Sequence, residues 1–412
     1  MTACSSTIAT DDASLDRASM SDARDAVDRV EHDVEALDAS EDAATDSEAD
    51  AREPDAATVD AAAPRDVVAD TRAMADTGAP TPAPTSALLL NGRDPMPCAD
   101  PTLFSERNNN AVYFVYCTSM AHVWRTSDWV TFSDERRRTD FDLTGMSANG
   151  REIGSWWAPG VIFVPELDRY VMWVSVPAAS ATRTMDGWNA RAMAVLTATT
   201  PTGPWVFREM AQTAAVGEHY IDPFLFRDSD GRRFVYWKQY GGGLSSSIMG
   251  AQVSADWRSI VAGTRVEIMN GYGGAGTWED NVRENPAVYR DPGTNRYHML
   301  FSGGHWDDGT YATGHALSTC GPLCVAAPDG YRMVSSGDRG ILQVVRAFGD
   351  ADFAHGGPGG AEFQDGAARF IVYAAAARSA RGDRTRFLMR DRIQWRNNAP
   401  FVDTAGHRPL GF

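Results

Sequence analysis

Short apolar and polar alternations, typical of β-strands rather than helices, dominate the chain beyond residue 86. One pattern recurs five times: a short strand introduced by Pro or Gly, a polar turn, and a second strand that opens on an aromatic residue. That first aromatic follows Pro101 by 12 residues, and follows Pro159, Pro223, Pro286 and Gly359 by 11 residues. The regular register predicts that each copy is a β-hairpin.

The spacing between the copies predicts the architecture. Successive copies begin 58, 64, 63 and 73 residues apart, which is room for four strands in each unit. Long helical patterns are absent from this part of the sequence, which argues against a barrel of alternating strands and helices. We therefore predict an all-β fold in which residues 87–412 form a five-bladed β-propeller. The innermost strand of each blade would line the central channel, and the Pro at its first position would mark where it starts.

Residues 1–86 have a different composition. They contain 21 Asp or Glu and 6 Arg, a net charge of −15, and this leaves only −2 of the total of −17 for the rest of the chain. They are rich in Ala, Asp, Ser, Thr and Pro and contain no aromatic residue, so they cannot bury enough apolar surface to offset the entropy of ordering them. We predict a disordered acidic linker, and the acidic balance argues against nucleic acid as a partner.

The start of the chain suggests export. Residues 2–6 resemble the end of a bacterial lipoprotein signal, in which Cys4 would carry the lipid; a chance cysteine near an ordinary start is the alternative. A long acidic linker after the cysteine favours a tether to a membrane. Neither a full signal peptide nor a membrane span is recognisable. We expect a cell-surface lipoprotein, or a periplasmic or extracellular protein.

The other four cysteines also fit export. Cys98 and Cys117 flank a predicted hairpin, and Cys320 and Cys324 bracket a Gly-Pro turn. Two disulfides would leave Cys4 as the remaining cysteine, although four reduced thiols are the alternative.

Three carboxylates mark the predicted chemistry. Asp100 and Asp222 directly precede a Pro of the repeat, and Glu284 lies two residues before Pro286. Blade symmetry would bring all three to one mouth of the channel. Clustered carboxylates have separated pKa values, which gives a general acid and a general base in one cleft, as glycoside hydrolysis requires. The alternatives are that each Asp caps a turn, or that the acids bind a cation.

From about Arg93 to the C-terminus, the order of these motifs resembles glycoside hydrolase family 43. The motifs that carry the resemblance are Ala99-Asp100-Pro101, Trp157-Ala158-Pro159, Ile221-Asp222-Pro223, Arg283-Glu284-Asn285-Pro286, Phe301-Ser302-Gly303-Gly304 and the run Arg386–Arg390.

The resemblance implies an inverting glycosidase that acts on arabinose- or xylose-containing plant-type glycans, with arabinose slightly favoured. It implies that Asp100 is the general base, Glu284 the general acid, and Asp222 the residue that orients the acid and adjusts its pKa. The substrate would be an oligo- or polysaccharide, and we expect a monomer. A non-catalytic glycan- or protein-binding propeller is the alternative. A propeller enzyme that acts on fructosides is a third hypothesis, but the N-terminal motif of that group is not found in this chain.

Two positions depart from the family pattern. Asn285 stands where the family usually has Gly, and the loop is expected to survive because Asn tolerates left-handed backbone well. Pro358 stands where many relatives have a His that helps to hold a central calcium ion, and His355 lies three residues earlier. No cofactor is expected to be required, and calcium remains an open question.

Trp157 and Arg283 are the candidate substrate-binding residues, because both adjoin the motifs. Arg283 could instead form a salt bridge to a loop acid such as Asp280. Lys238, the single lysine, carries no clear signal. Three further tryptophans could stack on sugar or pack between blades: Trp156, Trp237 and Trp306.

Overall fold

Strands make up most of the chain that the structure, a computed structural model, describes. The described residues are 90–91, 94–107, 109–179, 190–214, 217–241, 244–270, 279, 282–306, 311–325, 331–333, 355–364, 370–377, 385–396 and 399–402. The predicted linker over 1–86, with Cys4, lies outside them, and so does Asp280.

The first strands form a small hairpin, a four-stranded sheet and one extra edge strand. They are β1 (Leu90–Asn91), β2 (Asp94–Pro95), β3 (Thr102–Glu106), β4 (Asn109–Tyr116), β5 (Val123–Thr126), β6 (Phe132–Asp134) and β7 (Phe141–Asp142). Strands β3 to β6 are blade 1, in antiparallel order β3-β4-β5-β6.

Blades 2 and 3 follow, each with four antiparallel strands. Their strands are β8 (Trp157–Val164), β9 (Arg169–Pro177), β10 (Arg191–Ala198), β11 (Trp205–Gln212), β12 (His219–Arg227), β13 (Arg233–Gly241), β14 (Leu244–Gln252) and β15 (Val266–Met269). A single bridge, between Arg191 and His219, joins the two sheets, and β7 pairs with the outer edge of β11.

Blades 4 and 5 complete the set of five four-stranded units. Their strands are β16 (Glu284–Arg290), β17 (Tyr297–Gly303), β18 (Ala312–Ser318), β19 (Arg332–Met333), β20 (His355–Gln364), β21 (Phe370–Ala377), β22 (Arg386–Arg396) and β23 (Ala399–Val402). The predicted all-β propeller is confirmed, and each hairpin of the repeat is the inner pair of strands of one blade.

The helices in the described residues are all short 3-10 turns, found before β10. They span Thr118–Met120, Arg136–Arg138, Asn149–Arg151, Ile153–Ser155 and Pro165–Leu167. Within the described residues, no helix has the length and apolar character needed to cross a membrane.

Five clusters of buried apolar side chains show that the blades form a closed ring. Each cluster joins one blade to the next, and the fifth joins blade 5 to blade 1. Burial of one large apolar side chain contributes about 1.5–3 kcal/mol, so these interfaces are a main source of stability. One pair from each interface, in ring order, is Tyr116 with Trp205, Trp173 with Trp237, Tyr236 with Phe301, Leu300 with Tyr373, and Val115 with Leu388.

The ring closes through a short segment that precedes blade 1. The Cys98 N–H donates to the Arg386 carbonyl at 2.8 Å, and the Leu388 N–H donates to the Met96 carbonyl at 2.8 Å. Residues 96–98 thus lie along the first part of β22, while β23 pairs with its second part. A disulfide joins Cys98 to Cys117, which follows β4 directly, and a second disulfide joins Cys320 to Cys324. Both predicted pairs are therefore confirmed.

Candidate active site

One residue at the start of the inner strand of each blade has a left-handed backbone. The five φ values are 44° at Asp100, 38° at Ala158, 57° at Asp222, 50° at Asn285 and 61° at Gly360. The first four precede a Pro, which disfavours the right-handed helical region for the residue before it. In blades 2 to 5 the β-ladder shifts register at this point, as in a β-bulge whose first residue is left-handed. Non-glycine residues in this region cost of order 1–3 kcal/mol each, and such strain clusters at functional sites.

These five ring residues surround the axis of the propeller. All of them line one small cavity of about 20 Å³, together with residues of every inner strand. A cavity of that size holds about one water molecule.

The structure corrects two details of the predicted repeat. Asn285, rather than Glu284, occupies the position equivalent to Asp100 and Asp222, and Glu284 lies one residue before it. In blade 5, Ala361 takes the place of the marker Pro, where counting had placed Gly359. The reason is that the hairpin of blade 5 is shorter: Gln364 pairs with Phe370, so Ala361 precedes that aromatic by 9 residues rather than 11.

A larger cavity of about 610 Å³ lies on the other side of the ring, and all three predicted carboxylates line it. The residues that line it are Asp100, Thr118, Trp157, His219, Ile221, Asp222, Lys238, Tyr240, Ser246, Val282, Glu284, Asn285, Gly304, His305, Trp306 and Arg386.

Asp100 is held by a permanent cation and a hydroxyl. Arg386 Nη1 and Nη2 donate to Oδ1 and Oδ2 of Asp100 at 2.6 and 2.9 Å, a bidentate pair. Thr118 Oγ1 donates to Oδ2 at 2.8 Å and itself accepts from the Ala158 N–H at 2.9 Å, which fixes the direction of the hydroxyl proton. Asp100 raises the pKa of the Arg386 guanidinium above its ordinary value despite burial. The carboxylate is therefore fixed in position and faces the cavity.

Asp222 is the most deeply buried of the three carboxylates, with 7% of its surface exposed. Its N–H donates to Ser175 Oγ at 3.2 Å, and its Oδ2 accepts from the Asn285 N–H at 3.1 Å. Burial, and then the charges of Glu284 and Asp100, raise the pKa of Asp222 well above its usual value, while Lys238 acts in the opposite direction. Asp222 therefore binds a proton far more readily than an exposed aspartate.

Glu284 is held by two groups that can titrate. Its Oε2 lies 2.6 Å from Lys238 Nζ, and Tyr311 donates its hydroxyl to Oε1 at 2.5 Å. Burial and the charge of Glu284 raise the pKa of Tyr311 well above its usual value, so the phenol stays neutral and donates. The Tyr311 ring packs on bare backbone, because a Cβ at Gly359 would lie 1.9 Å from Tyr311 Cε1.

Asn285 connects the acids across the ring. Its Nδ2 donates to Tyr311 Oη at 2.8 Å and lies 3.4 Å from Asp100 Oδ1. Asn285 adopts the left-handed backbone that Gly allows, with a φ of 50°. The side chain also supplies hydrogen bonds that Gly could not.

Two tryptophans reach the cavity. The guanidinium of Arg191 lies 3.4 Å from the ring centroid of Trp157 and so covers one face of this indole. Burial lowers the pKa of Arg191 to about 10, still high enough to keep its charge at neutral pH. The Arg386 guanidinium lies 5.4 Å from the Trp306 ring centroid. A sugar stacked on Trp157 would therefore use the face opposite Arg191.

The structure places the other candidates away from the cavity. Trp156 and Trp237 are completely buried in the clusters between blades, and Trp156 Nε1 donates to the Gly150 carbonyl at 2.7 Å. Arg283, predicted to bind substrate, does not line the cavity but forms an ion pair with Glu279 at 3.2 Å. The geometry thus favours the alternative role of Arg283, with Glu279 as its loop acid.

The residues at the axis do not fit a calcium ion. No three His, Cys, Asp or Glu side chains within the described residues are grouped so as to hold a metal. Gly360 offers no side chain at the blade 5 position, and burial raises the pKa of Glu362, which lines the small cavity, to about 8. A carboxyl that stays protonated at neutral pH is a poor ligand for a cation.

Sequence reasoning missed four residues that contact the carboxylates. Lys238 and Tyr311 touch Glu284, and Thr118 and Arg386 touch Asp100. Of these four, only Arg386 belongs to a motif that carries the family resemblance. It lies 286 residues from Asp100, so nothing in the sequence indicates that the two side chains are in contact.

The family model described as Glycosyl hydrolases family 43 matches residues 95–400. A comparison with curated proteins gives no match. Among solved structures, a thermostable family-43 glycoside hydrolase superposes with a TM-score of 0.57 and 22% identity, covering 76% of this chain and 95% of that one.

Two other solved structures share the fold. An α-L-arabinofuranosidase from Lactobacillus brevis has a TM-score of 0.56 and 16% identity, covering 74% of this chain and 93% of that one. A Cellvibrio cellulosa α-L-arabinanase, complexed with arabinohexaose, has a TM-score of 0.56 and 16% identity, covering 76% and 97%. At these identities the likeness shows the fold alone.

Proposed function

The chain belongs to glycosyl hydrolases family 43 and is a glycoside hydrolase, and we propose that it cleaves arabinose-containing plant-type glycans with inversion at the anomeric carbon. The observation that carries this proposal is one cavity lined by three carboxylates with three different surroundings. Asp100 is paired with a permanent cation, Asp222 is buried, and Glu284 contacts a lysine and a tyrosine.

The surroundings support a separate role for each carboxylate. Asp100, fixed by Arg386 and Thr118, is the general base that removes a proton from the attacking water. Glu284 is the general acid that donates a proton to the departing glycosidic oxygen. Asp222 orients the acid and adjusts its pKa through its charge and through Asn285, whose N–H it binds.

The reaction that follows is a single displacement. The water oxygen forms a bond to the anomeric carbon while the bond from that carbon to the leaving oxygen breaks. Asp100 accepts the water proton and Glu284 supplies a proton to the leaving oxygen, so protons balance over the step. Attack from the face opposite the leaving group inverts the configuration. The direct test is the anomer first released, observed by proton NMR: release of the retained anomer would contradict the proposal.

The similar structures support pentose glycans as the substrate. They include an arabinofuranosidase and two arabinanases, which favour arabinose, and also a xylanase and a xylosidase.

The activity test uses a panel of aryl arabinofuranosides, aryl xylosides and aryl galactosides, with arabinan and xylan as polymers. Wild type is compared with Asp100→Asn and Glu284→Gln, and with Asp256→Asn, an exposed aspartate outside the cavity, as the matched control. We expect wild type and Asp256→Asn to hydrolyse the arabinosides fastest. If wild type is no faster than the two active-site variants on every substrate but still binds arabinan, the protein is a glycan-binding propeller.

We also propose that the protein is exported, with Cys4 as a lipid anchor. Two disulfides among the described residues support an oxidising compartment. Intact-mass analysis of protein extracted from membranes tests the anchor, because an unmodified Cys4 would contradict it.

A further inference from the structure

Lys238 contacts the carboxylate of blade 4 and interacts electrostatically with the carboxylate of blade 3. It lies on β13, directly opposite Ile221, the residue before Asp222 on β12. Its Nζ is 2.6 Å from Glu284 Oε2, and the two side chains are only 14% and 13% exposed. The ammonium therefore faces the cavity from within the protein rather than from its surface.

Among the described residues, Lys238 is the cation in contact with Glu284. Arg386, the other Lys or Arg side chain that lines the cavity in this part of the chain, forms a bidentate pair with Asp100. The other titratable groups of the described residues that face the site are Tyr311 beside Glu284, Tyr240 on β13, His219 on β12, and His305 after β17. Burial opposes the charge of Lys238, but Glu284 and Asp222 more than offset it and raise the pKa of the ammonium.

This arrangement bears directly on the proton that the general acid needs. Two buried carboxylates without a nearby cation would both hold protons at neutral pH, because burial and mutual repulsion each disfavour the ionised forms. One nearby ammonium stabilises one negative charge. The pair then holds one proton, which is the state in which one carboxyl can donate while the other stays ionised.

We propose that Lys238 is a positioning residue that keeps the Asp222–Glu284 pair at one proton and thereby sets the upper pH limit of hydrolysis. The inference rests on the proposed function of this site. The ammonium of Lys238 stabilises the ionised form of whichever carboxyl it lies nearer, so the proton is favoured on the other one. In the free protein the ammonium lies beside Glu284, and the proton is favoured on Asp222. Once the leaving-group oxygen takes the place of Nζ at Glu284 Oε2, the ammonium lies nearer Asp222 and the proton is favoured on Glu284.

The test is the pH dependence of kcat/KM for Lys238→Met and Lys238→Gln. Removal of a cation raises the pKa of nearby acids, so the acid stays protonated to higher pH. We expect the alkaline limb of the profile to move up by about 1–3 pH units, the range for a charge partner within ~4–6 Å. The Lys238 variants should also be slower than wild type, and the decrease should appear mainly in kcat rather than as an increase in KM.

Two controls separate charge from packing. Lys238→Arg keeps the positive charge and should leave the alkaline limb near its wild-type position, even if the rate falls. Arg137→Met removes an exposed cation from the 3-10 helix Arg136–Arg138 and should change neither rate nor limb. If the alkaline limb does not move in either Lys238→Met or Lys238→Gln, the inference is overturned and Lys238 contributes only packing.

A second measurement keeps the inference falsifiable without turnover. Difference infrared spectroscopy follows the carboxylic acid C=O band of the folded protein during titration, with Asp222→Asn and Glu284→Gln used to assign it. We expect Lys238→Gln to retain this band to higher pH than wild type does. If wild type hydrolyses no substrate but the band shifts as expected, the proposed function is refuted and the effect of Lys238 on the carboxyl proton stands. If the band does not shift, the proposed role of Lys238 is refuted.

Discussion

The two sides of the cavity hold their carboxylates in different ways. On the blade 1 side, Asp100 is bound by a guanidinium, which is always charged, and by a hydroxyl whose direction is fixed. On the blade 4 side, Glu284 is bound by the ammonium of Lys238, which Asp222 also attracts, and by a phenol that stays neutral. With the proposed roles, the base depends mainly on its position, whereas the acid depends on a positive charge that it shares with Asp222.

This contrast has a kinetic signature. A general acid matters less when the leaving group departs easily without a proton, whereas a general base that activates water matters for every leaving group. Changes on the blade 1 side should therefore slow all substrates equally. Changes on the blade 4 side should slow substrates with poor leaving groups most. The contrast can be measured with two aryl glycosides of the same sugar, one with a good leaving group and one with a poor one; the sugar is the one that the wild-type protein hydrolyses.

Asp100→Asn should have the largest effect, because the water loses its proton acceptor. We expect kcat/KM to fall by about 10³–10⁴-fold, toward the upper end of the range for a general base, and by the same factor for both leaving groups. Steady-state kinetics measures it, and circular dichroism checks that the fold is intact. A loss confined to the poor leaving group would assign the acid role to Asp100 and reverse the comparison.

Glu284→Gln should cause a loss that depends on the substrate. For the poor leaving group we expect kcat/KM to fall by about 10³-fold, and for the good one by about 10-fold, since proton donation typically contributes 10²–10⁴-fold. The ratio of the two losses is the quantity to measure. Equal losses would show that Glu284 is not the proton donor.

Arg386→Lys sharpens the comparison on the blade 1 side. A lysine cannot make the two parallel hydrogen bonds that Arg386 makes to Asp100, although it keeps the charge. We expect kcat/KM to fall by about 10–100-fold, equally for both leaving groups, because 1.4–2.7 kcal/mol of positioning corresponds to that factor. Thermal unfolding should be followed in parallel, and a leaving-group dependence would contradict an effect that acts through Asp100.

Gly359→Ala should have the smallest effect, and it acts on the blade 4 side. The added methyl group would meet the Tyr311 ring and displace the phenol that donates to Glu284. We expect kcat/KM to fall by about 3–10-fold, somewhat more for the poor leaving group, because one hydrogen bond contributes about 0.5–1.5 kcal/mol. Tyr311→Phe is the matched variant, since it removes the same bond without crowding. If Tyr311→Phe leaves kcat/KM unchanged, the phenol does not position the acid.

Much of the fold was predictable from the sequence because the repeat is local. The Pro at the start of each inner strand and the aromatic that opens the next lie within one hairpin, so their spacing records the architecture directly. Asp100 and Asp222 could be found for the same reason. Blade 5 was misaligned by two residues because its hairpin is two residues shorter between the ring and the second strand, and without a Pro at Ala361 the sequence does not mark the ring position.

The partners of the carboxylates were harder to predict because they come from other blades. Lys238 is separated by 46 residues from Glu284, and Arg386 by 286 residues from Asp100. Such contacts exist only once the ring has closed, and nothing in the local sequence distinguishes a lysine that enters the cavity from one on the surface. Arg283, adjacent to Glu284, was a misleading candidate, because Glu279 and the Asn270 carbonyl hold its guanidinium outside the cavity.

Ring closure has a mechanical consequence. If residues 1–86 tether the protein to a surface, tension on that tether passes through Met96–Cys98, whose backbone is hydrogen-bonded to β22, before it reaches blade 1. Asp100 lies only two residues further along the chain. The Cys98–Cys117 disulfide offers the force a covalent path into β4 before it reaches Asp100. The same bond that fastens the ring would then isolate the proposed catalytic base from stress on the anchor.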